Sequence, residues 1–538
     1  MEERKFKNIG LILGVVLVAV AVAFAIQTHW KGRQPRPQET QLGREWTKLE
    51  LILAQIQNNY VDSVDVHALI EKTLPSILEE LDPHSVYLEP QRLQEADEEL
   101  QGNIEGIGVL FNVPNDTAIV INVVVGGPAE RMGLQSGDKI IKVDTTVIAG
   151  VKMPQDSMRT YMKGPKGTNV DIWIQRFGEK ELIKFPIVRD KIPVHTVDVA
   201  YMVDAQTGYI KLSKFARTSY VEVLEAVSDL VEQGMKQVIF DIRGNVGGYL
   251  DQALKISGLF LDEGQLIVYT QGAHRPRQDF NNPQKGFCSE MPMAVLIDDA
   301  SASSSEIMAG ALQDWDRAWI VGRRSYGKGL VQEPIYFSDK SGLRLTVSRF
   351  YTPLGRSIQK PYDGNKDDYA YDILDRYRHG EFMQEDSIPK NDSLRYETKA
   401  GKVLYGGGGI IPDVFVPLDT VGMNDFYLKS SRLGLPIKFS MNFADKHRKE
   451  IKEISTMDAL DAFYDRMPLE REFLVFAAAN KVTPKGNEWQ ECKHIILPQL
   501  KAYVGRNTQM DDKAFYPYLG QIDNVLLRAK KLFYEANR

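Results

Sequence analysis

Four serines stand within five positions at residues 301–305 (SASSS), directly ahead of EIMAGALQD, an apolar run with helical spacing. A serine at such a turn has two uses. Ser303 with Glu306 fits the S-x-x-E capping box, in which the hydroxyl satisfies an N–H of the new helix. The same position suits a nucleophile, because unpaired N–H groups of a first helical turn can hold a developing oxyanion. Spacing alone neither separates these uses nor chooses among Ser301, Ser303, Ser304 and Ser305. No histidine lies nearby in the chain to take the proton.

SYGKGLVQ (325–332) offers a different base. A lysine near its free pKa of about 10.4 is protonated at neutral pH and cannot accept a proton. Burial disfavours the ammonium, and a neutral Lys328 between two glycines would then be able to deprotonate a serine. Gly322 to Lys328 also reads G-x-x-x-x-G-K, nearly a phosphate-binding loop. Gly329 stands where that loop needs Ser or Thr for Mg²⁺, and LVQEPIYF reads as strand rather than helix, so phosphate binding is set aside.

The elements that must position these residues show a βαβ rhythm from 191 to 360. TGYIKLSKF, KQVIFDIRGN, MAVLIDD, AWIVGR and RLTVSRFYT read as strands. TSYVEVLEAVSDLVEQG, YLDQALKISGLFL and EIMAGALQDW read as helices, which implies a layered α/β core. Residues 362–400 are polar and read as an insertion or mobile loop. Residues 421–538 are helix-rich, with no chemistry assignable to them, and 44–100 carry helical periodicity interrupted by DPHS at 82–85.

Residues 101–190 change to short β-type runs with glycine and proline punctuation. GIGVLFN (106–112) and GGPAERMGLQSGDKIIKVD (126–144) resemble a PDZ domain, which implies that Gly106, Ile107, Gly108 and Val109 bind a peptide's terminal carboxylate. Successive backbone N–H groups in a glycine turn form such an anion nest, and the adjoining strand edge takes an extended peptide.

At the N-terminus, residues 9–26 are apolar and uncharged, long enough as a helix to span a bilayer's hydrocarbon core. Residues 1–30 therefore read as a membrane anchor or a signal peptide. The length favours the anchor, and Ala23-Phe24-Ala25 offers a cleavage site. The chain has 43% hydrophobic and 26% charged residues and a net charge of −6, with no strongly basic segment, so nucleic acid is not an expected partner. Cys288 and Cys492 give neither a disulfide framework nor a zinc pattern, and no metal or cofactor is expected.

Several motifs in order resemble the carboxyl-terminal processing peptidases, or tail-specific proteases, over about residues 44–420. They are LDPHSVYLEP (81–90), the PDZ segments, DIRGNVGGYLDQAL (241–254), SASSSEIMAGALQD (301–314), SYGKGLVQ and GGIIPD (408–413). The resemblance implies Ser303 as nucleophile, Lys328 as general base and Gln332 as the residue that positions it. It implies oxyanion donors on the backbone of Ser304 and of the Gly247-Gly248 turn, with Asp314 in support. Val246 stands where the family's turn has proline, and Ser304 where alanine is common. His84, in a turn without a partner motif, reads as structural.

The expected architecture is an α/β multidomain chain. It runs from an N-terminal membrane helix and a helical segment (44–100) through a PDZ domain (101–190) and an α/β peptidase core of β-layer plus helices (191–420) to a helical C-terminal region (421–538). The expected function is a serine endopeptidase acting on C-terminal tails of substrate proteins, with a non-catalytic PDZ scaffold as the alternative. The resemblance implies a catalytic body on the periplasmic side of a bacterial envelope, inner-membrane anchored or exported. Whether the chain forms a homo-oligomer is left open.

Overall fold

The computed structural model describes residues 41–536 apart from 114–115, 125 and 363–365. The expected anchor or signal peptide lies outside the described residues. Among those described, no helix is long and apolar enough to cross a membrane.

The described residues divide into two compact units, one up to Glu80 and one from Leu81. The first holds helices α1 (Gln41–Asn59) and α2 (Val66–Glu79), the latter capped by Asp65, whose carboxylate accepts from Ala68 N. The division corrects the expected helical region 44–100, because its last part belongs to the second unit. There β1 (Val86–Leu88) is a strand paired with residues 342–344. Helix α3 (Pro90–Gln101) comes after it, opened by a proline whose missing N–H costs nothing there. Gly102 ends it in the left-handed conformation, φ 76°.

Next come β2 (Asn103–Gly106), β3 (Val109–Asn112), β4 (Ala118–Val123), α4 (Pro128–Met132), β5 (Lys139–Val143), β6 (Thr146–Val147), α5 (Gln155–Met162), β7 (Asn169–Gln175), β8 (Ile183–Val188) and β9 (Asp190–Pro193). The sheet order is β3-β4-β5-β7-β8, all antiparallel, with β5 central and β3 at an edge. Strand β7 shows why it folds this way. In NVDIWIQ, Val170, Ile172 and Ile174 alternate into a core shared with Val120, Ile140 and Met158. Strands β2 and β9 pair and bring the two ends of this body together.

The catalytic candidates lie within the next stretch of chain, which forms β10 (Val197–Met202), β11 (Thr207–Leu212), α6 (Ser219–Glu232), β12 (Gln237–Asp241), α7 (Leu250–Gly258), β13 (Leu266–Gly272), β14 (Arg275–Asn281), β15 (Met293–Ile297), α8 (Ser304–Asp314), β16 (Trp319–Gly322), β17 (Leu330–Tyr336), β18 (Gly342–Tyr351), α9 (Lys366–Arg378), β19 (Arg395–Glu397), β20 (Val403–Tyr405) and β21 (Val414–Phe415). A six-stranded sheet runs β10-β11-β12-β15-β16-β21, parallel except for β10. Both faces are covered, so its central strands are continuous apolar runs. Val238 and Phe240 of β12 and Met293, Val295 and Ile297 of β15 pack beneath α6, α7 and α8. The intervening Ile239, Ala294 and Leu296 face the opposite layer.

A second sheet, β1-β18-β13-β14 with β17 also on β18, flanks the first. The β13–β14 hairpin was not expected, because RPRQDFN is almost wholly exposed and carries no apolar alternation. Of the two readings of 362–400, an insertion or a mobile loop, the structure overturns the second. The segment contains α9 and is tied down by a buried cluster in which Glu381 accepts from Arg324 Nη2 at 2.6 Å and from Arg376 Nε at 2.8 Å.

The chain ends in helices α10 (Asp425–Arg432), α11 (Leu435–Lys446), α12 (Arg448–Ile451), α13 (Met457–Arg466), α14 (Leu469–Ala479), α15 (Glu488–Gly505), α16 (Asp512–Gly520) and α17 (Asn524–Ala536). Most of them enclose a core of their own, around Phe443, Phe463, Phe473 and Leu500. Helix α17 instead supplies the second cover of the parallel sheet, with Val525, Leu526, Ala529, Leu532 and Phe533.

Candidate active site

Strands β12, β15 and β16 are neighbours in the parallel sheet, and the chain after each carries one part of the site. Residues 242–248 come after β12, residues 298–303 after β15, and residues 323–329 after β16. The carboxyl edge of an open parallel sheet is where α/β folds collect functional groups. Ser303, Ser304, Gly247, Gly248, Lys328 and Gln332 all line one cleft of about 620 Å³ at this edge.

The four serines separate by what their hydroxyls do. Ser301 Oγ donates to Ile242 O at 2.8 Å, Ser304 Oγ to Gly248 O at 3.0 Å and Ser305 Oγ to Asn245 O at 2.8 Å. These three pin the turn after β15 onto the turn after β12. No protein acceptor takes the Ser303 hydroxyl proton among the described residues, and Ser303 faces the cleft. Its backbone is held at φ 54°, ψ −112°, a conformation that costs a non-glycine residue about 1–3 kcal/mol and persists only where neighbours enforce it.

The enforcing group is Glu306, which is completely buried. Its Oε2 accepts from Ser303 N at 2.9 Å and from Lys328 N at 2.8 Å. Its Oε1 accepts from Ser325 Oγ at 2.5 Å and Gly327 N at 2.7 Å. One carboxylate thus joins the backbone of the serine to that of the lysine. Burial pushes the Glu306 carboxyl above its usual range, against the four donors that favour its anion. The S-x-x-E spacing signals this residue; its bonds to residues 325–328 had no sequence signal.

Lys328 Nζ donates to Gln332 Oε1 at 3.1 Å, and no hydrogen bond joins it to Ser303 Oγ among the described groups. Gln332 is oriented in turn, because its Nε2 donates to His84 O. Burial holds the Lys328 ammonium below the usual lysine range, and the Arg344 cation pushes the same way, against Asp82 and Glu306. His84 therefore stands behind the site through its carbonyl, while its ring bonds Tyr369 Oη at 2.6 Å. Desolvation first, and the Lys328 charge second, push its imidazole down to about 4. The DPHS turn is itself knit by Asp82, which accepts from His84 N and Ser85 N.

Gly247 and Gly248 lie at φ 100° and 149°, and a Cβ on Gly247 would sit 2.9 Å from Ser303 Cβ, so only glycine fits. The two glycines differ in a way the sequence did not show. Gly247 N donates to Asn245 Oδ1 at 2.9 Å, which corrects its expected place among the oxyanion donors. The N–H groups of Gly248 and Ser304 carry no protein partner among the described residues and flank Ser303. Asn245, completely buried, also donates to Leu212 O at 3.0 Å. Asp314 lies at the far end of α8 and does not reach the cleft. Its buried carboxylate pairs with Arg356 at 2.5 Å and accepts from Leu354 N at 2.8 Å. Arg356 belongs to the same segment as Gln359, whose Oε1 accepts from Gly329 N at 2.8 Å.

At the other candidate site, Ile107 and Gly108 connect β2 to β3, with Gly108 at φ 80°. Their carbonyls are used, Ile107 O by Ala129 N and Gly108 O by Val124 N, while their N–H groups carry no protein acceptor among the described residues. Strand β3 begins at Val109 and, among the described residues, pairs only with β4, so its outer edge is open there beside this loop. Cys288 and Cys492 are buried and unpaired.

Family models match three parts of the chain: Peptidase family S41 at residues 206–371, a PDZ domain at 106–187, and a family of unknown function (DUF8443) at 426–509. A carboxy-terminal-processing protease of Bartonella bacilliformis is 34% identical over 362 residues, covering 66% of this chain and 80% of that one. The carboxy-terminal processing protease CtpA of Bacillus subtilis is 30% identical over 359 residues, covering 66% and 76%. Among solved structures, a photosystem II D1 C-terminal processing protease is 24% identical with a TM-score of 0.35, covering 68% of this chain and 92% of that one.

Proposed function

The chain belongs to the carboxy-terminal processing proteases of peptidase family S41, which makes it a serine-type peptidase, and from that premise we propose a Ser303–Lys328 dyad fed by PDZ capture of substrate tails. The carrying observation is Glu306 Oε2, which holds Ser303 N and Lys328 N together at the rim of one cleft. Neutral Lys328 Nζ, turned by Gln332, takes the Ser303 proton as Oγ attacks the scissile carbonyl. The N–H groups of Gly248 and Ser304 receive the oxyanion. The new ammonium then protonates the leaving amine, which leaves an acyl-enzyme and a neutral lysine. Water, deprotonated by the same Nζ, attacks the ester; collapse returns the proton to Ser303 Oγ and releases the acid.

The PDZ domain supplies the tail. A free carboxylate suits the unpaired Ile107 and Gly108 N–H groups, and the preceding residues add a strand to the open edge of β3. The apolar run 9–26 supports a membrane anchor or a signal peptide, and the family resemblance alone is the ground for the catalytic body on the periplasmic side of a bacterial envelope.

The test is hydrolysis of a peptide with an apolar C-terminal tail by the wild type and three variants. Ser303→Ala and Lys328→Ala should each lose about 10³-fold or more. Lys328→Arg should lose as much, because a guanidinium does not surrender its proton at accessible pH. Binding without cleavage by the wild type would mark a scaffold, and cleavage by Ser303→Ala would end the proposed mechanism.

A further inference from the structure

The helical C-terminal region touches both other bodies, by two different kinds of contact. Toward the peptidase core the contact is mainly apolar: α17 buries five side chains on the parallel sheet. Arg243 seals that junction, donating to both oxygens of Asp523 at 2.9 and 2.6 Å. Toward the PDZ domain the contact is polar. Gln135 Oε1 accepts from Lys452 Nζ at 3.2 Å and from Arg448 Nη1 at 3.4 Å. Ser136 Oγ lies 3.1 Å from Asn507 Oδ1, and Asn122 Nδ2 donates to Asp511 Oδ2. The approach is close, since a Cβ on Gly137 would collide with Arg448 and Asp445. The apolar cores of the two bodies stay separate.

None of these PDZ residues belongs to the Ile107–Gly108 loop, β3 or α5. A captured tail and the helical body therefore do not compete for the same surface. We propose that residues 425–536 are a bracket that fixes the PDZ domain on the peptidase body, so that a tail held at β3 is presented to the Ser303 cleft in a set orientation. The inference rests on the reading that the PDZ domain captures substrate tails. It gives a role to the segment matched by the family of unknown function. A fixed tether raises the effective concentration of the tail at the cleft, and a loosened one dilutes it.

The experiment uses the full chain. Gln135→Lys sets an ammonium against Lys452 and Arg448. Its expected signature is faster deuterium exchange at 135–138 and 507–511. The affinity for a fluorescent tail peptide should be unchanged, and kcat/KM on a folded protein bearing that tail should fall about tenfold. Adding Lys452→Glu should restore both exchange and cleavage. The pair Lys452→Ala with Asn507→Ala loosens the same contact from the helical side and should reproduce the loss if the lysine variant folds poorly. Faster exchange with unchanged or increased cleavage would overturn the bracket, as would exchange that stays slow in both variants. A wild type that never cleaves would overturn the peptidase reading instead, and the exchange data would still decide whether the dock exists.

Discussion

In the proposed dyad the base works only as the free amine, so the groups that set its charge set the pH profile. Arg344 lines the cleft with Lys328, held loosely by Asp97 at 3.4 Å across a partly exposed pair. Its cation adds to burial in keeping Lys328 below the usual lysine range. The sign comes from the base's role: kcat/KM rises as pH climbs through the lysine's pKa, because the neutral form is the reactive one. Arg344→Gln removes one of the two depressing influences and should move that rising limb to higher pH. The variant should be severalfold slower near neutrality and approach the wild type in alkali, while Arg344→Lys should keep the limb in place. His84 does not confuse the measurement, since burial holds its own titration down to about 4. A profile scaled down without moving would mean that Arg344 acts on substrate binding rather than on the lysine.

At the scale of elements, the site is three loops after adjacent parallel strands. One carboxylate sews the loop after β15 to the loop after β16, and three serine hydroxyls pin the first of these to the loop after β12. Glu306→Gln keeps the volume but replaces one acceptor oxygen with an NH₂ donor. Every neighbour of that carboxylate is itself a donor: Ser303 N, Lys328 N, Ser325 Oγ and Gly327 N. Two donors must then face each other in a dry site, which should cost about 2 kcal/mol or more of stability. Denaturant titration beside peptide turnover checks this, with kcat falling further than the stability loss explains, because both catalytic backbones lose their anchor; unchanged values of both would remove Glu306 from the account. The sequence made α8 and β15 legible because capping and apolar runs are local signals, and the family motifs added the roles proposed for Ser303 and Lys328. It could not show that Glu306 reaches residues 327 and 328, that Asn245 withdraws the Gly247 N–H, or that residues 86–88 leave the helical region to pair with β18. Each of those depends on partners distant in the chain. The polar β14 strand was invisible for another reason, since an exposed strand has no buried face to impose alternation.

Across the whole molecule, the last helix completes the layer that holds the catalytic strands. Val525, Leu526, Ala529, Leu532 and Phe533 repeat at helical spacing, yet their partner is a sheet whose members begin far earlier in the chain, near Val199 and Ile239. Asp523 joins the two ends of this arrangement. Its Oδ1 caps α17 through Val525 N and Leu526 N, both at 3.1 Å, and the same carboxylate holds Arg243 at the exit of β12. Phe533 packs edge-on against Trp319 of β16, ring centroids 5.6 Å apart. Phe533→Ala should therefore cost about 3–5 kcal/mol, the range for emptying an aromatic site in a packed core. Leu527→Ala, on the solvent side of the same helix at 48% exposure, should stay within about 0.5 kcal/mol. Chemical denaturation of the two variants gives the comparison directly. Equal losses would mean that α17 contributes only its own helicity, whereas the expected disparity identifies it as the sheet's second cover, without which strands β12, β15 and β16 would expose one apolar face to water.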